Sequence, residues 1–76
     1  MMTEERTRVI TESAVRYYRA ISERSSAKYE EYTHNLLFGE NKQLPMRIVA
    51  RRLKANDAHR TARAEFRRHV FNAEIL

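Results

Sequence analysis

Apolar side chains recur along the first half of the chain at steps of three or four residues. When each residue is given about 100° of helical rotation, nine small or apolar side chains fall within an arc of roughly 120°. They are Ile10, Ala14, Tyr17, Tyr18, Ile21, Ser25, Tyr29, Tyr32 and Leu36. Thr3 is a suitable N-cap, and Gly39 supplies the left-handed residue that commonly ends a helix. The pattern therefore predicts one long helix over residues 4–38.

The second half carries two apolar faces that do not line up on one continuous helix. Met46, Val49, Ala50 and Leu53 share one face, and Ala55, Ala58, Ala62, Phe66 and Ala73 share another, rotated by roughly 160°. Asn56 tolerates a turn and Asp57 is a good N-cap, so we expect a break at residues 54–57. Pro45 suits the first turn of a helix. The sequence thus predicts an all-α, three-helix arrangement, with shorter helices over residues 45–54 and 58–72, in a single small domain spanning residues 1–76.

The predicted first helix is too long for a compact chain of 76 residues. At about 1.5 Å per residue it measures roughly 50 Å, whereas a compact domain of this size is about 30 Å across. Either the helix breaks within residues 22–26, or its overhang packs on another chain. The apolar arc keeps its phase across that segment, so we expect a homo-oligomer. The interface we predict consists of Ile10, Tyr17, Ile21, Tyr29, Tyr32 and Leu36.

Composition narrows the class of protein further. The chain has no Cys, one Gly and one Pro, which excludes a disulfide framework and a thiolate zinc site and leaves little turn chemistry for a sheet. Charged residues make up 33% of it, and no apolar run approaches the ~18 residues of a membrane helix. Residues 1–6 lack the pattern of a secretory signal. We therefore expect a cytoplasmic protein without a membrane partner.

Catalytic and metal-binding patterns are weak in this sequence. It contains no phosphate-binding loop, nucleophile elbow or cysteine nucleophile. Glu31 with His34, and Glu65 with His69, have spacings that metal sites use, but each pair alone supplies too few ligands. A chain of this size also has little volume for an enclosed cleft. We therefore expect no enzyme activity, metal, cofactor or small-molecule substrate.

The net charge of +5 is concentrated in the second half of the chain. Residues 1–44 balance seven basic against seven acidic groups, whereas residues 45–76 hold eight basic groups and three acidic ones. Twelve of the fifteen basic residues are Arg, whose planar fork suits phosphate and carboxylate oxygens. The candidate binding residues form ridges on the two predicted C-terminal helices: Arg47, Arg51, Lys54, Arg60, Arg63 and Arg67.

Such basic ridges fit two kinds of acidic partner. The first is nucleic acid, because phosphate contacts supply most non-specific affinity. The alternative is an acidic protein, with this chain acting as a small inhibitor or adaptor of the kind that phages and mobile elements often encode. Residues 48–53 resemble the first helix of a helix-turn-helix motif, but Lys54 stands at the usual turn glycine and Arg60 at a usually apolar position. The sequence therefore predicts a non-enzymatic regulator without a motif that would read bases.

Overall fold

The computed structural model describes residues 3–39 and 43–75. The first helix, α1, spans Glu4–Phe38, and the second, α2, spans Met46–Ile75. No strand occurs within these described ranges, and neither helix has a stretch apolar enough to cross a membrane. The all-α class and the bounds of the first helix are therefore confirmed. Residues 1–2, 40–42 and 76 of the predicted domain, and the side chain of Ala73, lie outside the described part.

The helix α1 begins and ends at the capping residues that the sequence predicts. The backbone N–H of Arg6 donates to Thr3 Oγ1 at 3.2 Å, which satisfies one of the free N–H groups of the first turn. At the other end the Gly39 N–H donates to the Asn35 carbonyl at 2.8 Å. Gly39 has a φ of 91° and a ψ of 145°, so it lies outside the left-handed helical region, but its positive φ still favours glycine.

The predicted break at residues 54–57 is wrong, and so are the separate helices over residues 45–54 and 58–72. One helix, α2, continues through Asn56 and Asp57, so the structure has two helices rather than three. Pro45 lies immediately before α2, and its carbonyl accepts hydrogen bonds from the N–H groups of Ile48 and Val49. A continuous helix leaves Asp57 in the helix interior, where its side chain has no first turn to cap.

The reason for this continuity is that α2 buries one narrow seam instead of two apolar faces. Ile48 and Ala55, seven residues apart, are 2% and 3% exposed, whereas Met46 and Leu53 stay exposed. A seven-residue spacing keeps a seam in register along an antiparallel or parallel helix pair. Because the first predicted apolar face of α2 remains largely in solvent, only one face has to be buried against α1. A continuous helix can do this without a break.

The two helices pack against each other through small side chains. On α1 the buried residues are Ser13, Ala20 and Ala27, again at intervals of seven. Small side chains allow the two helix axes to approach closely, and long ones would hold them apart. The result is a rod of 55 × 16 × 13 Å with a radius of gyration of 17.0 Å, against about 11 Å for a compact chain of this length.

The apolar arc of α1 is not the face that packs on α2. Tyr18, Tyr29 and Leu36 are 71%, 70% and 71% exposed. Tyr17, by contrast, lies at the helix contact, with its ring centroid 5.6 Å from that of Phe66. Hydrophobic periodicity therefore located a continuous apolar stripe, but the hairpin closes mainly on the small residues at the other side of α1.

Candidate anion-binding site

The packing of the hairpin sets carboxylates of α1 against arginines of α2. Arg52 Nη1 donates to both carboxylate oxygens of Glu31 at 2.7 Å, near the loop that joins the helices. Near the opposite end, Arg16 forms an ion pair with Glu65. Since the early residue of one helix meets the late residue of the other, the two helices run antiparallel.

Arg47 and Arg51 belong to this paired surface. Arg51 donates from Nε to Glu23 Oε1 at 2.8 Å and from Nη2 to Ser26 Oγ at 2.9 Å. Glu30 Oε2 lies 3.5 Å from Arg51 Nη1 and 3.8 Å from Arg47 Nη1. The hydrogen bond from Arg51 lowers the pKa of Glu23, and the same bond raises the pKa of Arg51. This part of the predicted basic surface is therefore largely neutralised within the chain.

The other predicted residues of α2 have different surroundings. Lys54 is exposed and lies close enough to Glu23 to lower the pKa of that carboxyl further. Arg60, Arg63 and Arg67 are exposed too, and no carboxylate of the described residues lies within 4.0 Å of them. The three arginines follow one side of α2 over a rise of about 10 Å. Their positive charge is thus available to an external partner.

A groove between the helices adds a basic residue from α1 to this set. It is lined by Arg24, Asn56, His59, Arg60 and Arg63. Arg24 Nε donates to Asn56 Oδ1 at 3.1 Å, which ties the guanidinium to α2. One neutral partner leaves the charge of Arg24 uncompensated and other N–H donors of its fork available.

The pKa of His59 is lowered by its surroundings in this groove. Partial burial lowers the pKa of His59, and the positive charges of Arg24, Arg63 and Lys28 lower it further. Burial and nearby like charge both disfavour the imidazolium. We name the cationic groove by its lining residues Arg24, His59, Arg60 and Arg63, together with Lys28, which lies one turn beyond Arg24 on α1 and whose charge acts on His59.

Charge counting along the sequence misses Arg24, Lys28 and His59 as site residues. Arg24 and Lys28 lie in the half of the chain where acidic and basic groups balance. Their acidic neighbours, including Glu23 and Glu31, are occupied by arginines of α2. Knowing how α1 and α2 are aligned would have shown from the sequence that these residues lack a glutamate partner. That alignment depends on which face of α1 packs against α2.

The glutamate of each spacing considered for a metal site is engaged by an arginine of the other helix. Glu31 accepts the bidentate hydrogen bonds of Arg52, and Glu65 lies between Arg16 and His69, with His69 Nε2 3.9 Å away. Among the residues that the structure describes, no group of three or more acidic or histidine side chains is arranged to hold a metal ion.

The groove offers guanidinium groups, an ammonium group and an imidazole, with no described carboxylate paired to its arginines. Guanidinium forks donate parallel N–H groups that match the oxygens of phosphate or carboxylate. The arrangement is therefore suited to binding an anion. Comparisons with protein-family models, curated proteins and solved structures find no match to this chain, and its function is inferred from this charge and geometry.

Proposed function

We propose that this protein is a small, non-enzymatic regulator that binds nucleic acid through backbone phosphates. The binding surface is the cationic groove extended along α2 by Arg67. One observation carries the proposal: Arg24, Arg60, Arg63 and Arg67 have no carboxylate of the described chain within 4.0 Å. Toward the start of α2, by contrast, Arg47, Arg51 and Arg52 are engaged by glutamates of α1.

The spacing of these groups supports a phosphate backbone as the ligand. From Arg60 to Arg67 the helix rises about 10 Å, and over that distance one strand of a duplex advances about three nucleotides along the duplex axis, at ~3.4 Å each. Arg24 and Lys28 form a second row on α1, and packed helix axes are typically 8–10 Å apart. Two such rows can contact several phosphates of one strand at once.

The proposed binding is independent of base sequence. The helix α2 passes without a break through the segment where a helix-turn-helix motif has its turn, so the resemblance of residues 48–53 to that motif does not extend to its geometry. Phosphate contacts position a protein on nucleic acid but carry no sequence information. We therefore expect similar affinities for unrelated sequences of the same length, falling steeply as salt is raised.

Fluorescence anisotropy with labelled duplex DNA, single-stranded DNA and RNA, each titrated at several salt concentrations, tests this proposal. Arg63→Ala is expected to weaken binding and to lower the slope of log affinity against log salt by about one unit, because one fewer counterion is released. Arg51→Ala is the matched control on the same helix. Its guanidinium is held by Glu23, so its loss is expected to change the slope by much less.

Two outcomes would contradict the proposal. One is the absence of binding to all three nucleic acids at low salt, and the other is an equal effect of Arg51→Ala and Arg63→Ala. In the first case the alternative, a module that places its basic surface on an acidic protein, would account for the groove. Polyglutamate is the simple probe for that alternative, since it presents carboxylates without phosphates.

A further inference from the structure

The exposed face of α1 carries an uncharged stripe, aromatic or aliphatic except for two central serines, with the spacing of a coiled-coil seam. Its members follow one another at alternating steps of four and three residues, and all are exposed. We name it the tyrosine stripe: Tyr18, Ser22, Ser25, Tyr29, Tyr32 and Leu36. Val15, 43% exposed, continues the same spacing toward the start of α1. No charged residue of α1 falls within the stripe, although charged residues occur all along the helix.

A strict alternation of three and four residues is what keeps a seam facing a second helix along its length. Within the hairpin, α2 does not pack on this seam, because it contacts the side of α1 that carries Ser13, Ala20 and Ala27. The tyrosine stripe points away from this contact. It is therefore a second helix-packing surface that no other described residue covers.

From this we infer that a second copy of the chain covers the stripe, with the two α1 helices antiparallel. Ser25 lies near the midpoint between Val15 and Leu36. A twofold axis between Ser25 and Ser26 sets Val15 of one copy opposite Leu36 of the other. The same axis sets Tyr29 over the small Ser22 of the partner. Large side chains then pair toward both ends of the stripe, and the Ser25 residues of the two copies meet near the centre.

The exposed area is sufficient for such an interface. An aromatic side chain presents about 150–250 Å², and the three tyrosines of the stripe are 62–71% exposed, so they contribute on the order of 400 Å² per chain. With Leu36 and Val15 added, complete burial of these side chains in two copies would remove about 1,000 Å² or slightly more from solvent, which is the lower limit for a specific protein interface. A twofold interface uses the same patch on both copies, as this self-complementary register requires.

The sparse core of the hairpin favours a further packing contact. In the described residues the buried hydrophobic side chains are Ile48 and three alanines. Small chains with little buried apolar area usually need a disulfide, a metal or another chain for stability. The sequence has no cysteine, and the described part offers no cluster of metal ligands. Association with a second copy is one route to that stability, and it is independent of whether the chain binds nucleic acid.

Light scattering coupled to size exclusion measures the mass of the full chain directly. At micromolar concentration we expect twice the chain mass of 9.1 kDa. Tyr29→Glu places a charge in the middle of the stripe and is expected to return the mass to that of one chain. Leu53→Glu is the matched control, because Leu53 is a 58% exposed apolar residue of α2 outside the stripe. This variant is expected to keep the mass of two chains.

Single-cysteine variants test the antiparallel register without disturbing the fold. Ser25→Cys is expected to form an interchain disulfide on mild oxidation, because the two copies of this position meet at the axis. Ser22→Cys is the matched control: its two copies are offset by about 10 Å along the helices, beyond the span of a disulfide. Equal cross-linking of both variants would indicate parallel helices and would overturn the proposal.

A wild-type chain that keeps the mass of one chain at every concentration would overturn the proposal as well. If that monomer then sedimented together with phospholipid vesicles, the tyrosine stripe would be identified as a membrane-binding surface. Loss of nucleic-acid binding in Arg63→Ala, with the mass of two chains retained, would show that the two surfaces act separately.

Discussion

At the scale of single residues, the closest contact in the hairpin depends on side chains that are almost as small as possible. Ala27 is 1% exposed and Ala20 is 9% exposed. Ser13 is equally enclosed, and its hydroxyl donates to the Ile10 carbonyl at 2.8 Å. A buried polar group that is hydrogen-bonded in this way avoids the cost of an unsatisfied one. The seam therefore tolerates one serine but has no space for larger groups.

Enlarging one of these alanines is expected to destabilise the hairpin. Ala27→Leu adds three carbons where the helices touch, and overpacking of this kind costs about 1–3 kcal/mol. Chemical denaturation followed by circular dichroism measures the change in the free energy of unfolding. Ala64→Leu, on an exposed position of α2, is the control and should be close to neutral. Equal stability of the two variants would show that Ala27 is not at a close helix contact.

If the cationic groove binds an anion, the His59 imidazole is expected to make that binding depend on pH. The fold lowers the pKa of His59 from its ordinary value of 6.5, so the unfolded chain takes up the proton more readily than the folded one. The contribution of His59 to stability is therefore fully present above about pH 6.5 and is lost as the pH falls through the lowered pKa. A bound phosphate reverses this preference, because a nearby negative charge favours the imidazolium.

We therefore expect affinity for duplex DNA to rise when the pH is lowered from about 7.5 to about 5.5. His59→Gln removes the titrating group and should flatten this dependence over the same range. Anisotropy titrations at constant ionic strength measure both profiles. An unchanged pH dependence in His59→Gln would exclude His59 from the anion site.

At the scale of elements, a capping type of residue stands at the start of α1 and another stands in the interior of α2. Thr3 accepts from the Arg6 N–H and so is a true N-cap of α1. Asp57, also a good capping residue type, lies in the interior of α2. A side chain with a hydrogen-bond-accepting oxygen therefore stabilises the helix when it caps the first turn, and it gives no such stabilisation in the helix interior.

This difference predicts opposite results for two alanine substitutions. Thr3→Ala is expected to cost about 1 kcal/mol through loss of the cap. Asp57→Ala should leave stability unchanged or raise it by a few tenths of a kcal/mol, since Ala has the higher helix propensity. Thermal or chemical unfolding compares the two variants. A loss of about 1 kcal/mol in Asp57→Ala would indicate a helix end at that residue, and amide exchange across residues 50–65 would then show weak protection.

At the scale of the whole molecule, the hairpin is a rod with a sparse core, and the proposed dimer would couple its folding to association. If two copies share the tyrosine stripe, mass action makes the folded state more stable as the chain concentration rises. The midpoint of thermal unfolding should therefore increase measurably over a hundredfold range of concentration. Tyr29→Glu should unfold at a lower temperature that does not depend on concentration. A constant midpoint in the wild-type chain would argue against folding coupled to association.

Which arginines of α2 are paired with glutamates also depends on the structure of the whole molecule. The sequence places the surplus of positive charge in residues 45–76, and from that distribution Arg60, Arg63 and Arg67 can be chosen as candidates. It cannot separate them from Arg47 and Arg51, because all five lie on α2 at helical spacings. Only the antiparallel register shows that glutamates of α1 meet the early arginines and leave the later ones without a described partner.

The sequence by itself determined the helical class, the full extent of α1 and its two caps. These features depend on interactions within a few residues, which local pattern and capping chemistry describe well. Tertiary structure alone decided that α2 is continuous, because Ile48 and Ala55 form a seam with α1 that two separate apolar faces on α2 do not reveal. The choice of the inner face was also tertiary. Tyrosines dominate the hydrophobic pattern of α1, but alanines permit the closer helix contact, and a pattern shows which surfaces favour burial without showing what covers them.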